Sequence, residues 1–293
     1  MPNLKAIRTR IKSVQATQKI TRAMRLVAAA KVRRAQMRVE AARPFTAAVV
    51  KMLQEALSEV APIDLAGMKV LEHREVKTVG IIIVSSDRGL CGSYNSTVFR
   101  ESMQRIMQLQ SEGKEVKLIL VGLKAIGFFK NIKSEKLQSY SLLPAVPTVQ
   151  EADMIADAAV KYFTEHVVDS IEIISTKFKT LMASEVINNK FIPVALPKKA
   201  EHSIMRPERL FEPSIEEVMQ QELLPKYLQN VVYQALLEAS ASELAARMKA
   251  MTDASNNARD LIAALSLVYN KARQSSITQE LLEIVAGAEA LKG

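Results

Sequence analysis

The chain is poor in the residues that interrupt helices, and two long stretches lack them altogether. From Asn3 to Arg43, and again from Lys226 to Ala286, there is neither glycine nor proline. As a helix, the second stretch would be a rod of roughly 90 Å, whereas average globular helices run only about three turns. Other absences narrow the chemistry. One cysteine, Cys91, excludes an internal disulfide and suits a reducing compartment. His73, His166 and His202 are the only histidines and lie far apart, so no zinc site is expected. No apolar run approaches the roughly 18 residues that span a bilayer. The opening residues carry scattered charge with no apolar block behind them, so a signal peptide is not expected. At 293 residues and 48% apolar content, the chain has room for two domains of ordinary soluble composition.

What fills the uninterrupted stretches is a heptad rhythm. Leu4, Ile7, Ile11, Val14, Gln18, Thr21, Arg25, Ala28, Val32, Ala35 and Val39 alternate steps of three and four. Ala258, Leu261, Leu265, Val268 and Ala272 do the same, as do Ile277, Leu281 and Ile284 beyond a polar break. A period near 3.5 implies a left-handed supercoil. The alanines at 28–30 and between Ala239 and Ala250 would let two backbones approach closely. Two ordinary amphipathic helices of a bundle are the alternative, and the length of the stretches favours a coiled coil.

Charge is uneven. Residues 1–43 hold twelve Lys or Arg and one acid, Glu40, a balance of +11, so the other 250 residues sum to −2 within the whole-chain +9. From Lys226 to Ala286 the balance is even, with six basic and six acidic residues. A basic helix beside a neutral one calls for an acidic surround: phosphates, an anionic membrane surface or an acidic protein sleeve.

The middle of the chain reads differently. Thr78–Val84 is a β-branched run of the kind buried on both faces of a sheet, and Val116–Gly122 repeats it. Helices are expected at Tyr94–Ser111, up to Lys130, and at Val149–His166, with strands near Ser170–Lys177 and Ser184–Leu196. This alternation predicts a Rossmann-like α/β domain with a largely parallel sheet. Pro193, Pro197, Pro207 and Pro213 mark its exit, and Pro225 suits the first turn of the last helix. The fold class is therefore α/β, a long coiled coil of the terminal helices plus a central α/β domain. Its parts are residues 1–60, 70–205 and 210–293.

The loop Ser85–Ser93 joins the first strand to a helix, a natural place for an anion. Its Gly89-Leu90-Cys91-Gly92 matches neither GxxxxGK[ST] nor GxGxxG. Cys91 has no histidine nearby in sequence to serve as its base. The loop reads better as a tight turn that meets a partner than as a catalytic or cofactor site, and no cofactor is expected.

Several blocks resemble one family. Asn3-Leu4-Lys5-Ala6-Ile7-Arg8-Thr9-Arg10-Ile11, Thr17-Gln18-Lys19-Ile20-Thr21-Arg22-Ala23-Met24 and Ser86-Asp87-Arg88-Gly89-Leu90-Cys91-Gly92 are similar to the gamma subunits of F-type ATP synthases. So are Ala245–Met251 and, most tellingly, Val268-Tyr269-Asn270-Lys271-Ala272-Arg273-Gln274 with Ile277–Val285. The blocks stand in the family's order and span essentially the whole chain. The resemblance implies a non-catalytic rotor shaft, an antiparallel coiled coil of the N- and C-terminal helices in a ring of three alpha and three beta subunits, with the α/β domain beside the epsilon subunit and the membrane c-ring. Turned by proton flow, the shaft would drive each beta subunit through its nucleotide-binding states. It would belong to a peripheral complex on the cytoplasmic face of a bacterial plasma membrane or thylakoid.

By the same resemblance, Arg8, Arg22, Met24 and Arg25 face beta subunits from the basic helix. Asp87, Arg88 and Cys91 form a lower contact with acidic levers of the beta subunits, and Arg273 and Gln274 an upper catch. Leu281, Leu282, Ile284 and Val285 would turn in an apolar bearing. Two departures stand out. The paired cysteines and inserted redox segment of plant and cyanobacterial members are missing, so thiol regulation of that kind is not expected. Ser93-Tyr94 replaces the Gly followed by Leu or Phe of many relatives. The rivals are a basic coiled coil that binds nucleic acid and an enzyme built on the α/β domain. The first is opposed by apolar residues interrupting the basic ones and by the lack of a stacking aromatic before Phe45. The second is opposed by the missing nucleophile–base pair.

Overall fold

The β-branched run Thr78–Val84 forms the strand β1, buried on both faces as its composition requires. Around it the chain runs α1 (Leu4–Glu59), a 3₁₀ turn (Lys69–Leu71), β1, α2 (Tyr94–Ser111), β2 (Glu115–Val121), α3 (Leu123–Phe129) and β3 (Glu135–Tyr140). It continues through α4 (Val149–Thr164), β4 (Ser170–Phe178), β5 (Ser184–Ile192), the short α5 (Ile215–Val218), a π turn (Met219–Leu223) and α6 (Leu224–Ala290). This computed structural model describes residues 4–59, 67–142, 144, 146–194 and 214–290. Pro197, Pro207 and Pro213 lie outside the described residues. Contacts divide the chain into two compact units, Met1–Ala29 with Arg247–Gly293, and Ala30–Ala246.

In the larger unit the sheet order is β3-β2-β1-β4-β5. β1 pairs in parallel with β2 and β4, β2 in parallel with β3, and only the edge strand β5 runs antiparallel. One face packs Ile81, Ile83, Leu118 and Leu120 against α2 and α3 through Val98, Ile106, Ala125 and Phe129. The other face packs Ile82, Ile119 and Ile173 against α4 and the near parts of α1 and α6, with Phe163, Leu53 and Leu228 in one core. Arg105 of α2 clasps Glu172 of β4 with two hydrogen bonds of 2.8 and 2.6 Å, and the Asn188 amide donates to the same carboxylate at 2.5 Å. Here α1 and α6 run antiparallel: Arg43 meets Glu238 and Thr46 meets Gln234, so the partner number falls as the first rises.

The seam expected in α1 is the buried one. Every position from Leu4 to Val39 in that series is half-buried or buried, and the rhythm continues through Ala42, Thr46, Val49, Leu53 and Ala56. The helix therefore runs past Pro44, whose exposed ring lies off the seam. Lacking an N–H, Pro44 costs one helical bond at a solvent-facing position, where the freed carbonyl can be hydrated.

The seam expected in α6 needs correcting. Leu261 and Val268 are 41% and 49% exposed, and Ile262 and Tyr269 turn inward instead. The buried series is Met251, Ser255, Ala258, Ile262, Leu265, Tyr269, Ala272 and Ser276. Adjacent positions differ by only about 100° around a helix, so steps of three or four from Ala258 are both heptad-like. The burial of Ile262 and Tyr269, against exposed Leu261 and Val268, decides between them. Ile277, Leu281 and Ile284, also expected on the seam, are exposed.

Two details lay outside the expected elements. β3, Glu-Lys-Leu-Gln-Ser-Tyr, is an edge strand with few buried side chains, so it lacks the apolar signal of its neighbours. The π turn ends just before Pro225, which cannot donate to Gln221 and crowds that carbonyl; a widened turn accommodates it.

Candidate partner-contact site

In an open parallel sheet, ligands bind where the strand order reverses, at the carboxyl ends of the strands. Here that point lies between β1 and β4, and the loop after β1 fills it with its own side chains. The Asn95 amide donates to Ser86 Oγ at 2.8 Å and to Cys91 Sγ at 3.3 Å, while the Ser86 hydroxyl donates to the Arg88 carbonyl at 2.7 Å. Tyr94 is buried, and its side chain reaches Thr176 of β4. Burial, then the nearby Glu243 carboxylate, push its phenol well above the usual range, so it stays protonated and cannot act as a base near neutral pH. The Ser93-Tyr94 departure thus places a plug in the crevice.

The same cluster settles where the expected loop residues point. The Cys91 thiol is buried, facing Ser86 and Asn95. Asp87 turns sideways: its Oδ1 accepts the Leu123 N–H at 2.9 Å, at the start of α3, and the Leu142 N–H at 3.2 Å. Arg88, Gly89 and Leu90 form the outward surface. Leu90 and Gly92 both have positive φ, 64° and 58°, which makes the turn tight enough for this arrangement. Gly122 has φ 98°, and a Cβ there would lie 2.5 Å from the Ser85 carbonyl, so only glycine fits between the two loops.

The remaining expected contacts lie on the two long helices, apart from this loop in sequence. Arg8 and Arg22 are exposed on α1, while Met24 and Arg25 are half-buried. On α6, Arg273 and Gln274 are exposed, as are Leu281, Leu282, Ile284 and Val285. Sequence reasoning missed Leu123 and Leu142, exposed leucines bound to Asp87 through their backbones. No sequence pattern marks a carboxylate that accepts main-chain donors from two distant loops.

The other chemistry on offer is slight. Among the described residues, no cluster of His, Cys, Asp and Glu could hold a metal ion, and no helix is long and apolar enough to cross a membrane. His73 Nδ1 faces the Leu71 carbonyl at 2.9 Å and His166 Nδ1 faces Arg74 at 2.6 Å, whereas His202 lies outside the described residues.

Comparison with known proteins agrees over nearly the whole length. A family profile described as ATP synthase matches residues 3–291. The ATP synthase gamma chain of Synechococcus elongatus is 44% identical, with 100% of both chains covered. That of Crocosphaera subtropica is 43% identical, covering 99% of this chain and 100% of its own. Among solved structures, the chain is similar to one from the central stalk and c-ring of Tetrahymena thermophila mitochondrial ATP synthase. The identity there is 26% and the TM-score 0.61, covering 80% of this chain and 99% of the other. A chain of Euglena gracilis mitochondrial ATP synthase, in its OSCP/F1/c-ring assembly, shares the fold with a TM-score of 0.66 at 17% identity, covering 98% and 94%. The nucleic-acid-binding reading has no support among these relatives. With full-length matches, the expected blocks in order and the paired terminal helices around an α/β sheet all agreeing, the chain belongs to the gamma-chain family of ATP synthases.

Proposed function

We propose that this chain is the rotor shaft of an ATP synthase and that the chemistry of ATP takes place on other subunits. The observation that carries the reading is the full-length match to gamma chains, joined to two terminal helices of 56 and 67 residues whose buried positions follow a heptad rhythm, in α6 as far as Ser276. Its partners are three alpha and three beta subunits, the epsilon subunit and the c-ring, in a complex attached to the cytoplasmic face of an energy-coupling membrane. The working parts follow the three segments 1–60, 70–205 and 210–293. A ligand-driven machine shifts only those states it contacts unequally, so the shaft must present different side chains to each beta subunit in turn.

Arg8, Arg22, Met24 and Arg25 supply contacts from α1, Arg273 and Gln274 an upper catch, and Leu281, Leu282, Ile284 and Val285 the bearing. At the lower contact Arg88 faces outward, whereas Asp87 and Cys91 act by shaping the loop. Its filled crevice supports a non-catalytic role. The test is purification with and without partners. The chain alone should show no ATP turnover, and with alpha and beta subunits it should form a complex that survives high salt. ATP turnover that persists after all beta subunit is removed would overturn the reading.

A further inference from the structure

A carboxylate lies inside the larger unit where the chain is otherwise apolar. Glu238 of α6 is 7% exposed, among Leu236, Leu237, Ala239 and Ala241, all buried. A charge in such a place needs partners. Its Oε1 accepts from the Gln234 amide, one turn back on α6, at 2.8 Å, and from Nε and Nη2 of Arg43 on α1, both at 3.4 Å. The same Arg43 Nη2 donates to the Phe178 carbonyl, at the end of β4, at 2.8 Å. One turn further along α1, the Thr46 hydroxyl donates to the Gln234 side-chain oxygen at 3.4 Å. One guanidinium therefore joins α1, α6 and β4, all within Ala30–Ala246.

Stability alone does not account for this pair. A buried ion pair is often replaced by packed apolar groups without loss, and the best-attested use of such groups is to fix how paired helices meet. Position along the helix adds to the argument. α1 enters the core under the sheet through Leu53, Ala56 and Leu57. Arg43 lies about 15 Å beyond Leu53, at 1.5 Å per residue. Next to it, Pro44 leaves α1 one backbone bond short, and helices bend at prolines. A second attachment at this point resists both rocking of α1 on the sheet and bending at the proline.

We propose that Arg43 is a positioning residue of the rotor: it clasps Glu238 and the Phe178 carbonyl so that the sheet and the stretches of α1 and α6 beside it turn as one body. The inference rests on the rotor reading, since a shaft that turns has torque to pass on. Both helices continue from the clasp without a break, α1 back to Leu4 and α6 on to Ala290.

The experiment measures the play between helix and sheet in the whole complex. Cysteines replace two exposed residues, Arg34 on α1 and Lys133 after α3, in a Cys91→Ser background. They are spin-labelled before assembly, and double electron–electron resonance reads the spread of the distance between them. Arg43→Ala should widen that spread about twofold and cut proton-driven ATP synthesis per assembled complex to about a third, because removing one partner of a buried pair frees the other. Arg43→Lys keeps the charge, but its Nζ stands where the arginine Cζ does, a bond short of the Phe178 carbonyl. It should assemble like wild type and still show the wider spread. Glu238→Gln keeps an oxygen acceptor and the Arg43–Phe178 bond, so its spread should stay near that of wild type. A residue that serves only the fold would lower the melting temperature of Arg43→Ala and leave the spread in assembled complexes unchanged; that result would overturn the proposal. So would a wild-type spread in Arg43→Lys, or a wider spread with undiminished ATP synthesis. Each of these leaves the rotor reading standing, because that reading falls on ATP turnover by the chain alone. If Arg43→Ala fails to assemble, Arg43→Lys decides by itself.

Discussion

The sheet and the helix pair formed by Met1–Ala29 with Arg247–Gly293 are held together to very different degrees. In the sheet, Ile81, Ile82, Ile83, Leu118 and Ile119 are closed off from solvent, with helices against both faces. In the helix pair, the buried residues among those described are Thr21, Ala28, Met251 and Ala258. Small side chains bring two helices close but enclose little apolar area, at roughly 25 cal/mol per Å². Meanwhile Leu26, Val27, Leu267, Ile284 and Val285 remain exposed. The sheet supplies its own core, whereas the helix pair has a seam and little core. A helix pair that leaves such side chains uncovered suits a shaft turning inside other subunits.

The largest effect should come from breaking the sheet side of the comparison. Phe163 is fully buried on α4 and lies under the Arg74 guanidinium, 4.3 Å from the ring centre. Phe163→Ala should cost about 4 kcal/mol in denaturant unfolding, the range for emptying a buried aromatic site. A loss no larger than that of an exposed position such as Leu267→Ala would mean that the sheet core is not the better-packed region.

Next comes a break in the helix pair itself. Leu261→Pro removes a backbone hydrogen bond and crowds the preceding turn, at about 3 kcal/mol or more. The complex should then fail to assemble, or assemble with poor proton-driven ATP synthesis per complex in membrane vesicles. Wild-type synthesis by a fully assembled variant would show that an uninterrupted helix is dispensable.

A smaller effect tests the ion pair that joins α2 to β4. Burial pushes the Glu172 carboxyl up, but the hydrogen bonds from Arg105 and Asn188 outweigh it and hold the group below the ordinary carboxylate range. A carboxyl whose folded value is depressed adds stability that is complete above its unfolded value and is lost as pH falls through the folded one. Wild type should therefore weaken below about pH 4, and Glu172→Gln should flatten part of that slope while costing about 2 kcal/mol at neutral pH. Denaturant midpoints measured between neutral pH and pH 3 decide it; parallel curves for the two proteins would rule out this pair as a source of acid sensitivity.

How much of this was legible in the sequence depends on what kind of signal each part carries. β1, α2 and the start of α4 stand at their expected bounds because unbroken β-branched runs and amphipathic helices announce themselves through composition and period. The polar edge strand β3 carries no such signal. The seam of α1 was readable from its ends, where Ile11, Val14, Val32, Ala35 and Val39 stand between polar or charged neighbours; α6 offers Leu261 beside Ile262 and Val268 beside Tyr269, so period alone cannot choose. At the loop, the residue types pointed outward, but Cys91 and Asp87 are turned by hydrogen bonds to Asn95 and to two distant main-chain groups. Contacts of that length in sequence leave no local trace.

The smallest prediction decides the α6 seam directly. Leu261 and Ile262 are neighbours of equal size, so a pair of alanine substitutions differs only in which face each side chain occupies. Ile262 is half-buried, next in the series after Ala258, whereas Leu261 is 41% exposed. Ile262→Ala should cost about 1 kcal/mol, a fraction of the value for a fully buried side chain. Leu261→Ala should cost under about 0.5 kcal/mol, because alanine's helix propensity offsets part of the lost apolar contact. Amide hydrogen exchange across α1 and α6 in the full chain reads both, since local opening of a helix pair precedes global unfolding. In Ile262→Ala, protection should fall near Ala258 to Tyr269 and in the facing part of α1; in Leu261→Ala it should hardly change. The reverse order would restore Leu261 and Val268 to the seam and place Ile262 and Tyr269 on the surface offered to partners.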